Sequence, residues 1–511
     1  MQATLRNFDA VACISSEHKV TRLLERAAFA CLILLAISVP HSIAATQTAW
    51  LLGMLLTVAR LAISPRPKLK LGPVDVALWA FFLWTVISAL MSYDQPTSLD
   101  KLRGAAVFLL VYFVRLNVRS VRAAVLVVGF LIVSCMVNVL WVPIERAIGR
   151  GVEIHGVRPE SPLAKARLMD GDTLLSVNGV DVGTPEELVT LLQQAASSDV
   201  KFYRPDFEFT VKISRDDLLS GSEAVQALGI ARWKKSHNWR SSGFYGHYAT
   251  YAEVLQLIGS LVLGLLVALF AFRMKASEAS GTKWIALLGA AFLLTAFALL
   301  LTVTRAPQLG LLISAFVIAF AGLGRKWLMI AILVAVPVAA GGLFFLQVSR
   351  DVGFFDSGDE STRYRKVMLQ DGLRLWTESP RNFVFGVGTD SIKKYWREWG
   401  LFEGGNLPMG HFHSTPLQLL VERGLPALLI WLFLISAYIG TMWRGIKQTS
   451  ADDKWRRGII LGSFGGTVGS VASSVVHYNY GDQEVVMTIY LIMGIVLAIA
   501  NRVEETQDLR A

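Results

Sequence analysis

Two histidines, His411 and His413, stand one residue apart in the run GHFHSTPLQLLVERG, Gly410 to Gly424. A long polar stretch precedes them and the apolar run Pro426 to Trp443 follows, so both rings lie at the mouth of a hydrophobic segment. A neutral imidazole in that place touches water and a lipid-borne substrate together, and it can take a proton from a hydroxyl. Arginines occur at comparable boundaries: Arg240 opens RSSGF, Arg305 stands in TRAPQLG between two apolar runs, and Arg365 lies in RYRK. The guanidinium fork holds two phosphate oxygens at once, and an arginine between apolar runs is costly without an anionic partner. Neighbouring cations also keep a histidine neutral. The set suits transfer from a lipid-linked pyrophosphate to a hydroxyl. It would equally serve a transporter that binds such a headgroup without chemistry. Singly, a histidine or a snorkelling arginine at an interface needs no function at all.

The elements that must position these residues are membrane helices. The 511 residues are 53% hydrophobic and 17% charged, with a mean hydropathy of +0.49. Together with repeated apolar runs of bilayer length, this gives an all-α polytopic membrane protein with about twelve spans. The excess of 49 basic over 39 acidic residues falls in short turns between spans, where it reports sidedness rather than nucleic-acid binding. Arg66, Lys68 and Lys70, then Arg115, Arg119 and Arg122, then Arg273 and Lys275, then Arg325 and Lys326, and finally Arg444 to Arg457 mark cytoplasmic turns. An even number of spans puts both termini inside. Residues 1–26 read as a retained polar tail. Cys13, Cys31 and Cys135 suggest no disulfide framework, and their spacing suggests no metal site.

Residues 1–144 then form an N-terminal membrane region of about five spans, near 27–43, 49–63, 73–92, 102–114 and ending at Trp141. Residues 240–346 carry spans six to nine, the ninth from Trp327 to about Phe345. A large outer loop occupies 347–415, with a basic helix from Ser361 to Trp376 and a turn at Gly386 and Gly388. Residues 416–511 carry three spans, near 426–443, 458–476 and 485–500.

Between the first two regions, 145–239 is too polar to cross a bilayer and reads as a small α+β insert on the outer side. Thr173 to Val177 alternates as a strand, Asn178-Gly179 is a tight-turn signal, and Pro185 opens an amphipathic helix through Leu188, Leu191 and Leu192. The run SPLAKARLMDGDTLLSVNG resembles the PDZ pattern over about 152–215, with Leu163-Ala164 in place of Pro-Ala and Arg167 in place of glycine. That resemblance implies peptide capture by strand addition, with the carboxylate-binding loop near Gly149 to Gly156, or a spacer or docking role.

The rest of the chain resembles the bacterial O-antigen ligase superfamily. The residues that carry this are the R-S-S-G-F run at Arg240, T-R-A-x-x-L-G at Arg305, and the run from Arg365 through Pro380 to Gly388. With them goes H-x-H-S-x-x-L-Q-L-L-x-E-x-G-L at His411 to Leu425. The resemblance implies an inner-membrane, multi-pass glycosyltransferase that moves a glycan from undecaprenyl pyrophosphate to an acceptor hydroxyl on the periplasmic face, with no metal and no cofactor. It makes His413 the catalytic residue. Arg240, Arg305 and Arg365 would be pyrophosphate ligands, and His411 and Ser414 auxiliary, Ser414 standing where asparagine is commoner. Lipid A–core, a growing glycan or a protein hydroxyl are the acceptors open to such an enzyme. A membrane lipid and a protein held by the PDZ-like insert are further partners, and nucleic acid is not. A lipid-linked glycan transporter or a PDZ-bearing scaffold are the readings from other classes.

Overall fold

The computed structural model describes residues 2–14, 18–204, 207–276, 282–330, 360–407, 410–450 and 452–500, with four further positions between 331 and 341. The chain divides into two compact units, Met1–Asn138 with Phe244–Ala511, and Val139–Gly243.

The first unit is helical. Its amino-terminal part contains α1 (Lys19–Ser38), α2 (Ile43–Leu61), α3 (Pro73–Leu90), α4 (Leu109–Asn117) and the start of α5 (Val121–Ile148), which continues past Asn138 into the second unit. Ion pairs tie these helices together near their charged ends. Glu25 is shared by Arg60 at 2.7 Å and Arg119 at 3.0 Å, and the buried Arg115 pairs with Asp75.

In the second unit the chain forms β1 (Arg150–His155), β2 (Thr173–Val177), β3 (Val180–Asp181), α6 (Pro185–Gln193), β4 (Ser197–Arg204), β5 (Phe207–Ser214), α7 (Ala224–Leu228) and β6 (Arg232–Ser236). The strand order is β5-β4-β2-β1-β6, with every pairing antiparallel and β3 hairpinned to β2. Asn178 and Gly179 both take positive φ, 51° and 84°, as the tight hairpin turn demands. Arg167 also takes positive φ, 62°, which is the physical reason the PDZ pattern carries glycine there. Val152, Ile154, Leu163, Leu174, Leu188, Phe202, Leu228 and Ile230 share one core. This small domain therefore extends beyond the expected end near residue 215, because Leu228, Ile230 and β6 complete it. β1, which holds most of the expected carboxylate-binding loop, has both edges covered, one by β2 and the other by β6, and β6 ends the sheet among the described residues.

The first unit resumes with α8 (Tyr248–Ala276), α9 (Thr282–Leu301) and α10 (Arg305–Gly322), followed after the break by α11 (Glu360–Thr377) and α12 (Pro380–Phe385). Then come α13 (Thr415–Gln448), α14 (Lys454–Ser474) and α15 (Gln483–Ala500). Among the described residues, eight helices are long and apolar enough to cross a membrane. The protein is thus a polytopic helical membrane protein with a PDZ insert. The difference from about twelve arises at four places. α1 begins among charged residues, with Arg22, Glu25 and Arg26 in its first half. The run at 102–114 is broken into pieces of four, three and nine residues, each too short for a bilayer. The ninth span, 327–345, lies mostly outside the described residues, as do 347–359 of the large loop. The run at 458–476 falls in α14, whose glycines and serines dilute its hydropathy.

Those glycines have a packing reason. A Cβ at Gly458 would stand 2.8 Å from the Cα of Leu265, and one at Gly462 would stand 2.7 Å from the Cα of Leu261, both on α8. On the other side, a Cβ at Gly310 of α10 would stand 2.9 Å from the carbonyl oxygen of Gly469. Small residues spaced by four let three backbones approach directly, the usual way helices associate where lipid is as apolar as leucine.

Candidate active site

Between α11 and α13 the chain builds a small core of its own. Met368, Leu375, Val387, Ile392, Phe402, Phe412, Leu417 and Val421 are all buried in it. Leu417 and Val421 belong to the first turns of α13, so the loop is mounted directly on the helix that follows the histidines. The GVG turn completes the mounting. Val387 N–H donates to the carbonyl of Val421 at 2.8 Å, and Gly388 N–H to that of Glu422 at 2.9 Å. Asp390 N–H donates to the Glu422 carboxylate at 2.9 Å. Gly386 and Gly424 sit backbone to backbone in this contact. Both have positive φ, and a Cβ on either would collide with main-chain atoms of the other segment. Gly424 also breaks α13, with φ 75° and ψ 177°, just before Pro426.

The histidine segment is pinned residue by residue. Phe412 is buried against Phe402, and its N–H donates to the Gln418 side chain at 2.9 Å. Ser414 is the N-cap of α13, its hydroxyl accepting from Leu417 N–H at 3.5 Å. His413, held between these anchors, takes φ 48°, a left-handed conformation that costs a non-glycine residue energy and is concentrated at functional sites. Its N–H donates to Nδ1 of His411 at 3.2 Å, and the two rings lie 4.1 Å apart, centroid to centroid. A neutral His411 therefore carries its proton on Nε2.

Both imidazoles are held neutral. Burial lowers His411 to about 4, reinforced by the charges of His477, Lys393 and His247 and opposed by Asp390. Burial lowers His413 to about 3, reinforced by His411, His477, Arg365 and His247. Asp390 itself is half-enclosed. Burial alone would raise its carboxyl, but Lys101 at 2.9 Å and Lys393 at 3.1 Å hold it below the ordinary range.

Of the residues singled out in the sequence, His411, His413 and Ser414 form one segment, and Arg365 on α11 acts on His413 through its charge. Arg305 opens α10 and is half-buried. The approaches of Gly310 to Gly469 and of Gly322 to Leu461 show α10 running antiparallel to α14. Arg305 is thus at the end of that bundle where α14 runs into His477. Arg240 is a half-buried residue of the Val139–Gly243 unit. Among the described residues no group of three or more His, Cys, Asp or Glu has a geometry that could hold a metal ion.

Sequence reasoning missed His477, Tyr478, Asn479 and Glu253. The carbonyl of His477 accepts from both the N–H and the hydroxyl of Thr415, at 3.2 Å each, and that hydroxyl also reaches Asn479 at 3.0 Å. The Tyr478 ring lies 5.5 Å from that of His411. A signal was present, since His477 also stands at the mouth of an apolar run. What the sequence hides is that this mouth is tied to the other.

With this geometry in hand, the comparisons are specific. The O-antigen ligase family model matches residues 290–432, which include Arg305, Arg365, His411, His413 and Ser414. The PDZ domain model matches residues 153–202. No curated protein sequence matches the chain. On its multi-pass helical body the chain thus carries an O-antigen ligase domain over 290–432 and, ahead of it, a PDZ domain over 153–202.

Proposed function

We propose that the protein is a membrane glycosyltransferase that moves a glycan from undecaprenyl pyrophosphate to an acceptor hydroxyl. The observation that carries this is the pair of neutral imidazoles at the mouth of α13, with the Arg365 charge acting on His413, inside the O-antigen ligase match. The acceptor oxygen attacks the anomeric carbon, and the bond to the pyrophosphate oxygen breaks with its electron pair leaving on the lipid pyrophosphate. His413 takes the hydroxyl proton. Burial first and neighbouring charge second make this imidazole a weak base in the empty site, and the negative pyrophosphate offsets the charge part. Arg305 and Arg365 hold that pyrophosphate, and their charge counts most as negative charge grows on the leaving group. Ser414 serves through its cap, holding His413 in place. The basic turns between spans support a periplasmic position for this face, in a bacterial inner membrane with both termini cytoplasmic.

The test uses purified protein in lipid nanodiscs with an undecaprenyl-pyrophosphate oligosaccharide. Lipid A–core, a second lipid-linked glycan and a serine-rich protein are offered in turn as acceptors, and the productive one separates ligase, polymerase and protein glycosylation. His413→Gln is expected to lose at least about a hundredfold in turnover while inserting normally. Arg305→Lys keeps the charge but not the fork, and is expected to lose about tenfold at saturating donor, or roughly 1.4 kcal/mol. Transfer by His413→Gln at the wild-type rate would remove the assignment. Firm donor binding by wild type without transfer to any acceptor would favour a transporter.

A further inference from the structure

Glu253, on the first turns of α8, is a carboxylate with no exposed surface. It accepts from the Ser473 hydroxyl at 2.7 Å and from the Asn479 amide at 3.4 Å. Nδ1 of His477 lies 3.3 Å from its Oε1, within ion-pair distance but not aligned for a hydrogen bond, and this buried nitrogen has no hydrogen-bond partner. The ring is therefore beside a carboxylate without being fixed by it. A carboxylate so enclosed gains strongly from a positive partner, and an imidazolium at His477 would supply one. An imidazolium at His413 would instead be buried, with the Arg365 charge opposing its own. Glu253 and His477 both lie outside the stretch matched to the O-antigen ligase family.

We propose that His477, backed by Glu253, is the station to which the acceptor's proton passes. This rests on the transfer reaction proposed above. As the new C–O bond forms, the acceptor O–H bond breaks and His413 takes the proton. It passes from there to the Nε2 of His477, through water where the rings do not touch, leaving an imidazolium paired with the Glu253 carboxylate. The electron pair of the O–H bond stays on the acceptor oxygen, and that of the broken bond between sugar and pyrophosphate leaves on the pyrophosphate, so no oxidant or further reactant is needed. Release of the proton to water restores neutral His477 for the next turnover. In this scheme His413 is the catalytic residue and the His477–Glu253 pair is a positioning and proton-holding device that acts through it.

The structural tie of this loop to α13 is made by the His477 carbonyl, so a side-chain substitution leaves the tie in place. The test is the same nanodisc assay, with binding of the undecaprenyl-pyrophosphate oligosaccharide measured separately. His477→Gln is expected to lower turnover at least about a hundredfold with donor affinity unchanged, as for a lost proton-transfer group. Imidazole added to His477→Ala is expected to restore part of the rate, which a merely structural residue would not allow. Glu253→Gln keeps an oxygen for Ser473 and is expected to lower turnover by about tenfold; it carries the test if the His477 variants do not accumulate. Wild-type turnover in His477→Gln, or a loss confined to donor binding with no imidazole rescue, would overturn the proposal. Activity lost in His413→Gln but kept in His477→Gln removes the proton station alone. Activity kept in His413→Gln but lost in His477→Gln removes the relay from His413. Absence of transfer by the wild type removes both readings.

Discussion

His413 combines a left-handed backbone with a proton affinity far below that of a free imidazole, and each follows from its anchors. Phe412 is pulled into the loop core on one side and Ser414 is fixed as a cap on the other, so the residue between them turns inward. Enclosure then disfavours the charged ring. The sign of the pH response follows. An unfolded histidine takes a proton near pH 6.5, while folded His411 and His413 refuse one until about 4 and 3. Their contribution to stability is thus complete above about pH 6.5 and is lost as pH falls through these folded values. Bound pyrophosphate favours the imidazolium, so the acid limb of kcat is expected at higher pH than that of kcat/KM, which reports the empty site. Profiles of both, measured over pH 4 to 8 on the donor lipid, check this. Coincident limbs would show that the donor's charge does not reach the ring.

At the level of elements, the site depends on where glycine lets backbones touch. The GVG turn reaches the broken start of α13 because Gly386 and Gly424 have no side chain, and α14 reaches α8 and α10 for the same reason. The second contact sets the position of His477, since α14 leads directly into that loop. Gly462→Val is the informative change. Its Cβ would meet the Cα and carbonyl of Leu261 and the carbonyl of Ser260, which are backbone atoms that cannot rotate away. A loss of roughly 1–3 kcal/mol is expected, as for overpacking in a close-packed core. A fall in turnover is expected with it as the His477 loop shifts. Gly289→Ala on α9, where an added Cβ meets nothing within 4 Å, is the control and is expected to change neither. Unfolding in detergent titrations, read beside the transfer assay, distinguishes the two.

On the scale of the whole molecule, the PDZ-bearing unit begins and ends at one place in its own sheet. Arg150 and Ser236 are register partners on β1 and β6, so the chain enters and leaves side by side. Replacing 150–236 by a short flexible linker is therefore expected to leave the membrane body inserted at normal abundance. Removing only 154–214, close to the PDZ-like sequence alone, leaves β6 paired with just the start of β1 and exposes Leu228 and Ile230 of the shared core. That shorter deletion is expected to be degraded. Membrane abundance of the two deletions by immunoblot checks the difference, and equal loss of both would make the unit integral to the body.

What the sequence by itself determined was whatever is written locally. Apolar runs of bilayer length gave the membrane class, because burial in lipid depends on a segment's own composition. Strand alternation, Asn178-Gly179 and Pro185 gave β2, its hairpin and α6, because turn and cap chemistry act over a few residues. The His411–Ser414 segment stood out because a polar motif at the mouth of an apolar run is a local contrast. Only the tertiary structure decided what lies next to what. The Glu253 carboxylate reaches His477 from another helix, β6 pairs with β1 from beyond the PDZ-like run, and Arg115 is buried against Asp75. α14 became legible only in its contacts. Its glycines weaken the hydropathy that marks a span, and their purpose is visible only against the backbones of α8 and α10.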